Sequence, residues 1–181
     1  MGEVMDWLNA EHRLIGRVLA SLGTFLSGLD PAAPDTRLVL GEYVEFFLRY
    51  VEGGHERVEE EVIFSGLAEY GGAAGPMALL AEEHRQRAGR LAALAEVARG
   101  EGPLDEAELE RLAEEAGMYS SHLRAHILKE DRALLPLAET LLPEERAGRI
   151  AADLAAFTGN SAQADFVALA ESLVERYPPL T

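Results

Sequence analysis

His55-Glu56-Arg57-Val58-Glu59-Glu60-Glu61-Val62-Ile63-Phe64 and His126-Ile127-Leu128-Lys129-Glu130-Asp131-Arg132-Ala133-Leu134-Leu135 follow one plan. In each, a histidine is followed four residues later by a glutamate, then by a second acid. Two large apolar residues close the unit at matching offsets. On a helix, residues four apart share a face with Cβ atoms about 6 Å apart, so both groups can reach one cation. Glutamate makes up 25 of 181 residues, so a given histidine has roughly a one in seven chance of meeting one at that spacing. The spacing alone is therefore weak. Its weight comes from two further segments that also match each other: Glu11-His12-Arg13 with Leu19 and Leu22, and Glu83-His84-Arg85 with Leu91 and Leu94.

The chain around these segments is rich in Ala, Leu, Glu and Arg and poor in β-branched residues, which favours helix. No stretch alternates with period two, so the expected class is all-α. A first helix is predicted over Val4 to Ser27, ended by Gly28 and Asp30-Pro31-Ala32-Ala33-Pro34. Asp35 is the expected cap of a second helix, Thr36 to Glu69. The next break is Tyr70-Gly71-Gly72 through Gly75. Pro76 suits the first turn of a third helix that runs to Arg99. Asp105 and Glu108 form a capping box for a fourth helix, Glu106 to Leu141, with a kink expected at Pro136. Short connections between long helices predict an up-down-up-down four-helix bundle over 1–141. A C-terminal extension, 142–181, holds one or two extra helices, from Pro143 to Phe157 and from Ala162 to Tyr177, packed on the bundle's outside.

Each long helix carries an apolar stripe, and each stripe contains one histidine. The stripes are Leu8, His12, Ile15, Leu19, Leu22, Leu26; Val44, Leu48, Val51, His55, Val58 or Glu59, Val62; Met77, Ala81, His84, Ala88, Leu91, Ala95, Ala98; and Leu112, Ala116, Tyr119, Leu123, His126, Glu130, Ala133, Leu137. Four core imidazoles and two core carboxylates need mutual satisfaction, because an unpaired buried carboxylate is strongly unfavourable. A bound cation provides it. The odd helices each present a histidine, and the even helices each present a histidine and a carboxylate. This pseudo-twofold arrangement inside a bundle suits a two-metal centre. Imidazole and carboxylate without thiolate suit iron, manganese or zinc.

Composition narrows the function. The chain has no cysteine, which excludes disulfides, thiolate metal sites, iron–sulfur clusters and a cysteine nucleophile. A net charge of −16 argues against nucleic acid and anionic membrane partners. No run of 18 apolar residues occurs, and residues 1–13 lack a basic flank followed by an apolar run. A soluble cytoplasmic protein is expected.

These residues resemble the hemerythrin-like, HHE cation-binding family of four-helix bundles, over roughly 8 to 140. The two segments quoted first are the most specific part of the resemblance. It implies a non-haem di-iron centre with His12, His55, His84 and His126 as terminal ligands and Glu59 and Glu130 as bridges. It also tips the metal to two iron ions, with manganese or zinc as alternatives. Oxygen-carrying members place a His-x-x-x-His pair on the third helix, where this chain has Ala88. The pattern is closer to the branch with four histidines and two glutamates, which includes di-iron repair and iron-sensing proteins. The implied function is a binding protein that handles or senses O2, NO or iron. A di-iron enzyme, oxidase- or peroxidase-like or for iron-centre repair, is the alternative. An enzyme should show an acid–base residue beyond the ligands, and no such motif is present. A helical interaction module with incidental histidines is the third reading. A homo-oligomer is open.

Other positions admit two readings. His122 is a fifth ligand, a donor behind a ligand, or a surface residue. Asp131 competes with Glu130 as a bridge, and Glu130 is preferred because it repeats the spacing of Glu59. Glu56 reads as solvated or as a weak extra ligand, and Glu60 and Glu61 as a solvated run. Tyr43, Tyr50 and Tyr119 are core or adjoin the centre. Gly16 and Ala88 either leave a coordination position open or allow close helix packing. Gly53-Gly54 is a kink or a close-packing site, with packing preferred.

Overall fold

The computed structural model describes residues 2–68, 74–158 and 162–180. Among them are six helices and no strand. Helix α1 spans Gly2–Ser27. Helix α2 begins as Thr36–Phe46, widens to π-helical turns over Phe47–Glu56 and Glu59–Phe64, and closes with Ser65–Leu67. Helix α3 is Ala74–Arg99. Helix α4 runs Glu106–Lys129, passes through a π-helical turn at Glu130–Leu134 and ends as Leu135–Leu141. Helices α5 and α6 are Glu144–Thr158 and Ala162–Arg176. The expected break at Tyr70 to Gly72, the end of α2 at Glu69 and the Phe157 side chain lie outside the described residues. No helix among the described residues is long and apolar enough to cross a membrane.

The helix ends follow local chemistry, with one correction. Asp105 accepts from the Glu108 amide at 2.8 Å, and the Glu108 carboxylate accepts from the Asp105 amide at 3.1 Å, completing the expected box. Asp35 does not cap α2, because its own backbone is already helical (φ −100°, ψ −4°) and its side chain makes no cap bond. The turn is held instead by Asp30, whose Oδ1 accepts from the Ala32 amide and whose carbonyl accepts from the Thr36 hydroxyl at 2.6 Å. Between α3 and α4, Gly102 adopts φ +70°, a conformation that glycine takes without penalty. Arg37 clasps this turn by donating to the Gly102 carbonyl and to Glu108.

The core is split in two. One apolar cluster joins Ile15, Leu19, Leu22, Phe46, Phe47, Leu91, Leu112 and Tyr119 with Ala170 and Leu173 of α6. A second joins Val4, Leu8, Val58, Ile63, Leu67, Leu80 and Leu134 with Ile150 and Leu154 of α5. The C-terminal helices thus contribute fully buried side chains to both clusters. Ile150 fills the space where Gly66 lacks a side chain: a Cβ there would lie 2.5 Å from its Cδ1. The six candidate ligands belong to neither cluster, and all of them are buried.

The wide turns explain where the expected stripes fail. Leu48 and Ala133 are exposed; Ala88 is exposed too, but on the regular α-helix α3, which has no wide turn. In α2 the inward position is Phe47, and in α4 the buried residues after Glu130 are Leu134 and Ala138 rather than Ala133 and Leu137. A π turn closes its hydrogen bond over five residues instead of four, so it advances the inward-facing register by one. The irregularity of α4 therefore sits at Glu130–Leu134, just before Pro136, which opens the following α-helical stretch. In α2, Gly53 and Gly54 face the carbonyls of Leu48 and Arg49, five residues back, at 3.2 and 3.4 Å from an ideal Cβ. Their smallness serves the widened turn, which corrects the packing reading.

Candidate metal centre

Each candidate ligand sits one helical face away from solvent because the stripe that carries it is otherwise apolar. The six side chains converge in two groups. His12, His55, Glu59 and Glu130 form one, and His84, His126, Glu59 and Glu130 form the other, with the ligating atoms of each group within 4.8 Å of one another. Both glutamates belong to both groups. The His55 Nε2 lies 3.3 Å from Glu59 and the His126 Nε2 lies 2.9 Å from Glu130, both along a single helix. His12 reaches across to Glu130 at 3.4 Å, and His84 reaches Glu59 at 3.5 Å.

The outward nitrogens are held by carboxylates. His12 Nδ1 donates to Asp131 at 2.7 Å, His84 Nδ1 to Glu60 at 2.7 Å, and His126 Nδ1 to Glu83 at 2.9 Å. The fourth pair breaks the pattern: His55 Nδ1 is 3.8 Å from Glu11, beyond hydrogen-bond range. Glu11 accepts instead from the Tyr50 hydroxyl at 2.6 Å. A carboxylate can only accept, so it fixes the Nδ1–H tautomer and turns the Nε2 lone pair inward.

That inward surface is short of protons and rich in acceptors. His12 Nε2, His55 Nε2, Glu59 Oε2 and both Glu130 oxygens are buried without a hydrogen-bond partner. His84 and His126 point their Nε2 atoms at each other across 2.9 Å, while each Nδ1 already gives its proton to an acid. Two imidazole lone pairs cannot face each other without a proton or a cation between them. In the cation-free protein protons supply part of this charge. Burial pushes His12 down, but the carboxylates of Glu130 and Glu59 beside its Nε2 outweigh it and raise it to about 10. Burial likewise opposes charge on His84, and Glu59, Glu56 and Glu60 together raise it to about 9. Glu59 is held well below its ordinary value: burial works against the charged form, and His55, His12 and His84 override it. Nitrogen and oxygen donors, orphaned and buried, in two groups that share two carboxylates, fit a pair of divalent cations.

The amino-acid sequence matches a family model for the hemerythrin HHE cation-binding domain over residues 3–138. The chain belongs to the hemerythrin HHE cation-binding family. Comparison with curated proteins and with solved structures gave no match.

Positions around the centre of this HHE domain resolve as follows. His122 joins neither ligand group and lines a cavity at the surface. Asp131 supports His12 rather than competing with Glu130. Glu60 is exposed, as expected of a solvated acid, and it also accepts from His84. Glu61 is one, paired with Arg57 at the surface. Glu56 is buried and bound by Arg87. An ideal Cβ on Gly16 meets nothing within 4 Å, which removes close packing as its reason. Ala88 is exposed, and the inward position of that turn belongs to Arg87. Tyr50 supports Glu11, Tyr43 pairs with Ser21, and Tyr119 is core, packed on Phe47. The supporting acids had a readable signal. Each lies next to a candidate ligand in sequence, as Glu83 to His84, Glu60 to Glu59 and Asp131 to Glu130. Arg87 had none.

Proposed function

We propose that this HHE domain is a di-iron binding protein that handles or senses O2, NO or iron, and is not an enzyme. One ion is held by His12 and His55, the other by His84 and His126, with Glu59 and Glu130 across both. The observation that carries the reading is that both glutamates belong to both ligand groups. A bound iron pair would supply a redox-active centre open to a diatomic ligand. The chain's part is to present neutral Nε2 donors, hold them in that tautomer with Asp131, Glu60 and Glu83, and keep bulk water away. Manganese or zinc fits the same donors, and the family resemblance favours iron. We read the four long helices as an up-down-up-down bundle over 1–141, with 142–181 as a helical extension, in a cytoplasmic protein without nucleic acid or membrane partners.

The test is iron per chain by elemental analysis, with an optical spectrum in air. Two irons per chain and an absorption band that responds to O2 or NO are expected. A stoichiometry of zero after anaerobic reconstitution with iron would overturn the reading. Turnover of peroxide or of an organic substrate would move it to the enzyme alternative.

A further inference from the structure

Three of the four candidate ligand histidines have a carboxylate on the nitrogen that faces away from the centre. His55 does not, and of the four it alone leaves both ring nitrogens buried and unpartnered. Facing its Nδ1 at 3.8 Å is Glu11 Oε2, which is itself buried without a hydrogen-bond partner. The two orphans are complementary and stand roughly 1 Å beyond bonding distance. The other Glu11 oxygen, Oε1, accepts from the Tyr50 hydroxyl at 2.6 Å. Tyr50 is buried, and its ring is stacked on Phe46, with centroids 5.0 Å apart and planes 17° from parallel.

A cation at Nε2 changes what His55 needs. It takes the Nε2 lone pair, so the ring proton sits on Nδ1 and becomes a stronger donor. A buried donor without an acceptor is strongly unfavourable, and the oxygen that faces this one is Glu11 Oε2. A carboxylate accepts at both oxygens, so Glu11 can serve Tyr50 and His55 together. Its setting also differs from that of the other three acids. Asp131 and Glu60 are exposed and Glu83 is half-buried, whereas Glu11 is buried. Water and salt weaken the pull of an exposed acid more than that of a buried one.

We propose that Glu11 is a positioning residue for His55: once a cation holds the His55 Nε2, Glu11 Oε2 accepts from Nδ1–H while Tyr50 anchors Oε1. A buried chain of Tyr50, Glu11 and His55 then backs this ligand, where acids that reach solvent back His12, His84 and His126. The inference rests on the proposed cation pair.

The test uses zinc, which is redox-silent, and protein carrying isotopically labelled histidine. The His55 Nδ1–H resonance is followed by NMR, with zinc content and zinc affinity measured alongside. In the wild type, loading should move that resonance to low field and slow its exchange with water. Glu11→Gln keeps the shape but offers one accepting oxygen to two donors. It should bind zinc about tenfold or more weakly, the scale of losing a partner behind a metal ligand, and the low-field signal should disappear. Tyr50→Phe alone should cost less. Tyr50→Phe added to Glu11→Gln leaves the single oxygen to His55, so the double variant should regain part of both the affinity and the signal; residues that only pack would make it worse than either single variant. Glu11→Gln protein with full zinc that keeps wild-type affinity and resonance overturns the proposal, as does a double variant that regains neither. If Glu11→Gln does not fold, the wild-type resonance decides. Wild-type protein that fills with zinc and leaves the His55 resonance unshifted overturns this inference alone, whereas protein that takes up no zinc removes the cation reading and this inference with it.

Discussion

Loading the centre should expel protons, and the number follows from the geometry. In the cation-free protein His12 stands at about 10 and His84 at about 9, so near neutral pH both are charged and offset Glu59, which is held below its ordinary value. A ligand imidazole must give its Nε2 lone pair to the cation, while Asp131 and Glu60 keep the Nδ1 protons in place. The Nε2 protons must leave. About two protons should therefore be released per chain at roughly pH 7.5, and the overall binding constant for the pair should rise about a hundredfold per pH unit between roughly pH 7 and 9. The folding linkage has a definite sign. Both values lie above the unfolded reference of about 6.5. The stabilisation they give the cation-free protein is complete below that pH and is lost as pH rises through 9 and 10. The loaded protein lacks these titrations and should not show that loss. Calorimetric zinc titrations in buffers of different protonation enthalpy count the protons directly. Release of less than about half a proton near neutral pH would refute the charge state assigned to the two histidines.

Three further outcomes are expected. Glu59→Ala and Glu130→Ala should each lose most of the bound metal, and His122→Ala should keep it, as read by elemental analysis; the reverse order would show that the glutamates do not serve both ions. The cation-free protein should stay helical by circular dichroism but melt lower than the loaded one, by a margin set by mass action of about 2.7 kcal/mol at a hundredfold excess over the dissociation constant. Trp7, the single tryptophan, has its ring centroid 5.8 Å from that of His55, so iron loading should quench its fluorescence in step with uptake, and an unchanged emission would place the ions elsewhere.

The cluster of candidate ligands was legible because burial and chemistry point the same way at those positions: a histidine in an apolar stripe is conspicuous. Its supporting acids were less so, since Glu60 and Asp131 look like the surface charge that surrounds them until α3 and α1 are seen to bring His84 and His12 alongside. The π turns were not legible. A stripe drawn at α-helical spacing runs through Leu48 and Ala133, and only the widened hydrogen bonding moves the inward face to Phe47 and Leu134. Arg87 was missed for a related reason. A charged residue one position from a small apolar one reads as solvent-facing, and its burial depends on Glu56, which comes from another helix.

The π turn at Glu130–Leu134 has a consequence for how this chain can change. On α4 it acts as a phase joint between two periodic signals, the one that ends in His126 and Glu130 and the one that resumes at Leu134 and Ala138. Deleting one residue after Glu130 and before Leu134 would let the helix return to ordinary winding with both signals in phase. The apolar layers above and below would keep their partners. Asp131 lies inside this turn, so its contact with His12 is the one the deletion would put at stake. The joint therefore makes the polar layer an insertable module, separable from the packing that carries the helices on either side.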